Sequence, residues 1–301
     1  MKIKDSFHTY AIITIIFWSL AFVLTRVGLH YFTAYSLAFL RFIFASIAII
    51  VIALIKKMKW PQKADIKWFV ASGASGFFIY MMLFNKASET VTAATGSVII
   101  ATVPVMTALF ARFVYKEKLS AFQWSAIAIE FLGVVVLTLM NNAFSLNHGI
   151  IWLFIAAIFL SIYNLLQRKL TKTYSGLQAS SFSILVGTLL LAIFLPSTVK
   201  EVQSVSPAPI IYVAILGVFS TAIAYATWAE AFKKAKKASS VSNYMFVTPF
   251  LTTILGLIIA NEKPDAATYI GGGIILIGLF TFNFGERVFR KLKKEKPQDF
   301  L

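Results

Sequence analysis

The chain has 301 residues, of which 59% are hydrophobic and only 13% charged, and its formal net charge is +16. A soluble domain of this size has no use for so much apolar surface, and the absence of cysteine excludes disulfides, thiolate metal sites and thiol nucleophiles. The positive charge gathers between apolar blocks, as it does in membrane loops, so nucleic acid is not an expected partner.

The apolar blocks are roughly twenty residues long, the length that crosses the hydrocarbon core of a bilayer as a helix. The pattern predicts an all-α polytopic membrane protein with ten transmembrane helices, at 9–29, 33–55, 67–86, 90–115, 121–140, 149–168, 177–196, 209–232, 238–260 and 266–286. The first block follows "MKIKDSFHTY" and no small-residue cleavage site comes after it, so it reads as a retained helix and not as a signal peptide. The gaps carry loop signals such as "KKMKWPQKADIK", "NNAFSLNHG" and "PSTVKEVQSVSPAP". His8, His30 and His148 fall near helix ends or in loops, which speaks against a zinc or haem site; no metal and no cofactor is expected.

Lysine and arginine orient the spans. The termini and even-numbered loops hold 23 of these charges and the odd-numbered loops only Arg26, Lys86, Lys200 and Lys263, with Arg41 inside a span. That bias puts both termini in the cytoplasm of a multi-pass cytoplasmic-membrane protein. The "KKAKK" run at 233–237 reads as a cytoplasmic anchor touching anionic membrane lipid.

The chain also repeats itself. A shift of 145 positions lays "VPVMTALFARFVYKEKLS" (103–120) on "TPFLTTILGLIIANEKPD" (248–265), pairing Pro104 with Pro249, Thr107 with Thr252 and Glu117-Lys118 with Glu262-Lys263. It also pairs Tyr80 with Tyr225 and Gly133 with Gly278, and a shift of 142 lays "IFWSLAFVLTR" (16–26) on "IFLSIYNLLQR" (158–168). The halves are 1–145 and 146–301. Each holds an odd number of spans, so the second enters the membrane inverted relative to the first. Two inverted five-helix repeats can exchange conformations around a central cavity, which is the mechanics of alternating access. Pro104 and Pro249 sit within helices 4 and 9, where each removes a backbone hydrogen bond; they read as paired hinges.

At these residues the chain resembles the EamA family of the drug/metabolite transporter superfamily. The likeness rests on "WSLAF" (18–22), "LRF" (40–42), "ATGSVIIATVPVMTALFARFVYKEKLS" in the first half, and "ASSVSNYMFVTPFLTTILGLIIANEKPD" with "GGGIILIGLF" in the second. Ser19 departs from it, since the family often has Gly or Ala after the Trp. The resemblance implies a basket of helices 1–4 and 6–9 around the cavity, with helices 5 and 10 at the periphery. It implies movement of amino acids, other small metabolites or toxic organics, often as export.

No phosphate-binding glycine loop, catalytic triad or carboxylate dyad stands out, so an enzyme is not expected. Candidate substrate-binding residues are Trp18 and Phe22 in helix 1, Arg41 in helix 2, Tyr80 and Phe84 in helix 3, Tyr163 and Asn164 in helix 6, Tyr225 in helix 8, and Asn243 and Tyr244 in helix 9. The aromatic set suits an amphipathic organic solute better than an inorganic ion. Asn164 and Asn243 need polar partners in apolar spans; a cavity or an interhelical hydrogen bond would each serve. Arg41 is read either as an anchor of helix packing, the favoured role, or as a partner for a substrate carboxylate. Glu130, ten residues into helix 5, is a candidate proton-coupling carboxylate or a hydrogen-bonded group at a helix contact. Gly271-Gly272-Gly273 and the Gly73/Gly76 pair read as close helix contacts.

The expected function is membrane transport of a small organic metabolite by alternating access, preferably export, by a monomer or homodimer with protons as a candidate coupling ion. A lipid or lipid-linked-sugar flippase is the rival transporter, and a sensor or assembly component of the membrane the rival from another class.

Overall fold

The hydroxyl of Ser6 accepts a hydrogen bond from His8 N and opens α1 (Phe7–Gly28); Thr33 does the same for α2 (Ala34–Ile55), accepting from Ser36 N. The computed structural model describes residues 6–116, 119–140, 148–234 and 243–294. Every regular element among them is helical.

α3 crosses in three joined pieces, α-helical Ile66–Gly73, a π-helical turn at Ala74–Ile79 and α-helical Tyr80–Ala87. Thr92 caps α4 (Ala93–Ile100), a turn at Ala101-Thr102 comes next, and α5 (Val103–Tyr115) continues the same predicted span. α6 (Ala121–Met140) and α7 (His148–Leu170) succeed it. α8 (Gly176–Leu191) starts at a capping box between Ser175 and Gln178. The predicted span 177–196 runs on through a 3₁₀ turn at Ala192–Phe194 into α9 (Leu195–Ser204), because Pro196 falls in the first turn, where a helix tolerates proline. α10 repeats the build of α3: α-helical Pro207–Gly217, a π-helical turn at Val218–Ile223 and α-helical Ala224–Lys234. A 3₁₀ turn at Asn243–Val247 leads into α11 (Thr248–Ile259), and α12 (Ala266–Lys294) ends the described chain.

Seven stretches among the described residues are helical, long and apolar enough to cross a membrane: Phe7–Gly28, Ala34–Ile55, Lys63–Ala87, Ala93–Val114, His148–Leu170, Gly176–Ser204 and Pro207–Ala231. Thr248–Ile259 and Ala266–Phe282 are shorter apolar helices. The chain is therefore an all-helical multi-pass membrane protein.

Two groups of helices share the packing. α6 lies along α12, drawn close by glycines: a Cβ on Gly133 would stand 2.6 Å from Ile275 Cγ1, and one on Gly278 would stand 2.5 Å from Glu130 Cγ. The far faces of this pair expose Leu132, Ile277 and Phe280, as helices facing lipid do. The other helices surround a core of buried aromatic and aliphatic side chains running from α1 through α2, α3 and α7 to α10. Gly73 of α3 packs on Ser183 and Val186 of α8, and Gly76 of α3 packs on Tyr163 of α7, so this glycine pair does make close helix contacts.

Candidate functional site

The π-helical turns of α3 and α10 each lead directly into a buried tyrosine, Tyr80 and Tyr225 being the first buried aromatics beyond them. A π turn widens the helix by one residue and so rotates the next turn of helix about the axis. Both tyrosines end up in one buried core, where the aromatic rings touch in two neighbouring sets. Tyr225 meets Phe77 (ring centroids 5.1 Å apart), Tyr163 (6.0 Å) and Trp18 (5.3 Å), and Tyr80 leans on Phe84 (5.7 Å), which meets Phe22 edge-on (5.3 Å). Six of the predicted wall residues thus come together: Trp18, Phe22, Tyr80, Phe84, Tyr163 and Tyr225.

Two members of this cluster were not legible in the sequence. Phe77 sits in the α3 π turn and touches Phe42, Tyr163 and Tyr225; Trp228 lies tilted against Trp18, ring centroids 5.0 Å apart. A single aromatic residue in an apolar run carries no periodic signal that would have marked either. Gly76 and Gly187 would have been a clue, because the ring of Tyr163 and the Cβ of Phe77 occupy the space where a Cβ would stand.

Tyr244 does not join the cluster. Its hydroxyl pairs with His8 Nδ1, and its ring packs near Phe7, Tyr10 and Trp228 at one end of α1. The 3₁₀ turn that carries it sets it off the face a continuous helix would have presented. Asn243 opens the same turn; its side chain lies outside the described residues. Asn164 donates from Nδ2 to Thr107 Oγ1 at 3.2 Å, so it spends at least one hydrogen bond on α5.

Arg41 is 2% exposed and lies against the α10 π turn. Its Nε donates to Thr221 Oγ1 at 2.7 Å, its Nη2 to Ser220 O at 3.4 Å and its Nη1 to Met81 Sδ at 3.6 Å. The backbones can approach here because residue 217 is glycine: a Cβ would stand 2.8 Å from Phe44 Cβ and closer still to Arg41 O.

Pro104 and Pro249 are not in the middle of continuous helices. Each stands in the first turn of a new helix, α5 or α11, just after a break at Ala101-Thr102 or at Asn243–Val247. Proline is at home there because its missing N–H would have had no helical partner. The carbonyls ahead of the two prolines face serine hydroxyls: Ser161 Oγ, which donates to Ala157 O at 2.7 Å, lies 3.3 Å from Val103 O, and Ser19 Oγ donates to Thr248 O at 3.4 Å.

At one end of the bundle Glu262 is clasped from two sides. Arg26 Nε meets its Oε1 at 2.6 Å, and Ala93 N, at the start of α4, donates to Oε2 at 2.8 Å. Arg26 also donates to the carbonyl of Ser88. The repeat partner of Glu262, Glu117, and its neighbour Lys118 lie outside the described residues.

Glu130 is 3% exposed, and its Oε1 has no hydrogen-bond partner among the described residues. It borders a cavity of about 20 Å³, room for about one water, with Thr102, Met106, Ile127 and Phe154. Thr102 stands at the break between α4 and α5, so the carboxyl and the break share this space. Other buried hydroxyls without partners among the described residues are those of Thr25, Ser181, Ser220, Thr248 and Thr252.

The EamA-like transporter family model matches the chain twice, over residues 6–139 and 147–284. The chain belongs to the EamA-like transporter family. Among relatives, the uncharacterized transporter YdfC of Bacillus subtilis (strain 168) is 29% identical over 268 residues, covering 89% of this chain and 87% of that protein. A probable terminal-alkyne amino-acid exporter of Streptantibioticus cattleyicolor is 25% identical over 272 residues, covering 90% and 91% of the two chains. One solved crystal structure shares the fold with a TM-score of 0.65 at 20% identity, covering 93% of this chain and 98% of its own. Membership makes this EamA protein a transporter, with a small-molecule substrate and a lipid surround.

Proposed function

We propose that this EamA transporter exports a small organic metabolite, an amino acid or similar amphipathic compound, by alternating access across the cell membrane. Ten crossings form two inverted five-helix halves, 1–145 and 146–301, with both termini in the cytoplasm. The observation that carries the reading is that both halves bear the same backbone devices at matching repeat positions. The π turns at Ala74–Ile79 and Val218–Ile223, the breaks ahead of Pro104 and Pro249, and the left-handed residues Lys116 (φ 55°) and Asn261 (φ 52°) all recur. Irregular helices of this kind recur where transporter halves rock against each other.

The solute sits among Trp18, Phe22, Tyr80, Phe84, Tyr163 and Tyr225, with Asn164 and Asn243 as polar partners. The unpartnered hydroxyls of Ser220, Thr248 and Thr252 support a path that is wetted during the cycle, because a buried hydroxyl with no partner is otherwise costly. Glu130 is the proton-coupling group, and its position beside the α4–α5 break supports that role. The named function of the Streptantibioticus relative favours an amino acid and the outward direction.

The test is an untargeted metabolite profile of medium from cells overexpressing the protein, against cells carrying Pro104→Ala with Pro249→Ala. A compound that accumulates outside only with the intact protein supports metabolite export and names the solute class. Identical profiles overturn export in favour of import or lipid flipping.

A further inference from the structure

Arg41 is a buried cation with no anion beside it among the described residues. Its acceptors are a hydroxyl, a carbonyl and a thioether, all neutral, and its remaining N–H groups find no acceptor among the described residues. Neither the Arg26–Glu262 nor the Lys86–Glu89 ion pair reaches it. Glu130, a buried carboxyl, lies at the α6–α12 contact and has no ion-pair partner among the described residues. A charge held in a membrane interior without a counter-charge carries a large desolvation cost, and such groups mark ligand and ion pathways.

Locking α2 to α10 does not require that charge. The amide nitrogen of a glutamine occupies the place of the arginine Nε and could donate to Thr221 without a charge. The guanidinium instead offers a planar fork matched to a carboxylate. Its surroundings are set for a second ligand. Thr221 Oγ1 lies 3.3 Å from Leu216 O, to which its own proton can go, which leaves a lone pair to receive Arg41 and orient it. The hydroxyl of Ser220, in the same π turn, is buried and unpartnered. Tyr80 and Tyr225 couple electrostatically to the charge, and both belong to the buried core that holds Tyr163, Phe84 and Phe22.

We propose that Arg41, with Ser220 and the phenols of Tyr80 and Tyr225, anchors the carboxylate of a small organic acid or amino acid whose apolar body packs on the aromatic cluster. In the present conformation the anchor is closed, so the ligand enters when the two halves part. This inference rests on the transport reading and narrows its solute to a carboxylate.

The experiment uses the full chain purified in detergent and follows its intrinsic tryptophan fluorescence, since Trp18 and Trp228 flank the cluster. Phenylacetate, butyrate and phenylalanine are titrated, each against its own amide, with chloride as the inorganic control. The expected result is saturable binding of at least one carboxylate, roughly tenfold or more tighter than its amide, as a charge-assisted fork implies. Arg41→Gln abolishes that preference. Arg41→Lys keeps part of it, and Thr221→Val, which preserves shape, weakens carboxylate binding severalfold. If each acid binds no better than its amide, if chloride competes equally, or if Arg41→Gln keeps the preference, the anchor is overturned. The transport reading fails separately. Carboxylate binding without flux in proteoliposomes leaves the anchor standing and removes transport of that solute, while export confined to neutral or cationic compounds does the reverse.

Discussion

The hydroxyl of Ser161 in α7, bonded to Ala157 O at 2.7 Å within its own helix, also lies 3.3 Å from the carbonyl of Val103, one residue before Pro104 in α5. Ser19 in α1 makes the corresponding bond to Thr248 O ahead of Pro249 in α11. Each half thus holds the broken helix of the other through a small polar residue that is itself 0% exposed. Removing the hydroxyl as Ser161→Ala should cost at most about 0.5–1 kcal/mol, the range for interhelical hydrogen bonds in membranes, because its one proton is shared with Ala157 O. Ser161→Leu, which forces the helices apart, should cost about 1–3 kcal/mol. Unfolding in mixed detergent measures both; a neutral Ser161→Leu would mean that α5 and α7 do not approach at this point.

Arg26 and Glu262 join the ends of α1 and α11, and Glu262 also holds the start of α4. Their side chains are 24% and 14% exposed, so the pair is shielded from water more than a surface salt bridge. A double-mutant cycle with Arg26→Gln and Glu262→Gln should give a coupling energy of about 0.5–3 kcal/mol. A coupling indistinguishable from zero would reduce the pair to a surface contact. With no native cysteine in the chain, Arg26→Cys with Glu262→Cys also offers a clean crosslink, expected to slow transport reversibly.

Gly76 gives up its Cβ space to the ring of Tyr163. Gly76→Val should therefore destabilise the bundle by about 1–3 kcal/mol through overpacking. Tyr163→Ala in the same chain should recover part of that loss, because the obstructing ring is gone. Strict additivity of the two substitutions would falsify the contact.

Glu130 and Thr102 line one small cavity at the α4–α5 break. If Glu130 carries the coupled proton, Glu130→Gln should remove the dependence of solute flux on an imposed pH gradient while leaving exchange of solute for solute intact. Flux is read in proteoliposomes with and without the gradient. Retained gradient dependence would leave Glu130 as a packing residue against Gly278.

Trp18 stands between Tyr225 and Trp228 and is only partly buried, so it faces both the cluster and accessible space. Trp18→Ala should lower flux at least about tenfold, on the order of 1.4 kcal/mol of lost stabilisation, with the protein still inserted and folded. Unchanged flux would take Trp18 out of the solute path.

That the chain is helical and crosses the membrane several times was readable from the order of residues alone. Blocks of apolar residues bounded by charged loops leave the backbone no alternative inside a membrane, because every N–H and C=O must be satisfied within its own segment. Matching residues 145 apart, such as Pro104 with Pro249 and Tyr80 with Tyr225, were visible too. What that pattern could not show was the local irregularity. The π turns of α3 and α10 arise in ordinary apolar sequence, and Pro104 and Pro249 pointed to kinks where the chain instead starts new helices.

Partners remote along the chain were beyond its reach. Arg41 allowed two readings while its neighbours were unknown; its contacts to Ser220 and Thr221 span about 180 residues and exist because Gly217 lets α2 and α10 touch. Tyr244 and Tyr225 looked equivalent as aromatics in apolar spans, yet one pairs with His8 and the other stands at the centre of the cluster. Periodicity acts over a few residues, so it specifies which segments are helical and apolar enough to cross a membrane. Which side chains meet depends on how distant helices pack, and that is settled by the summed contacts of the whole bundle.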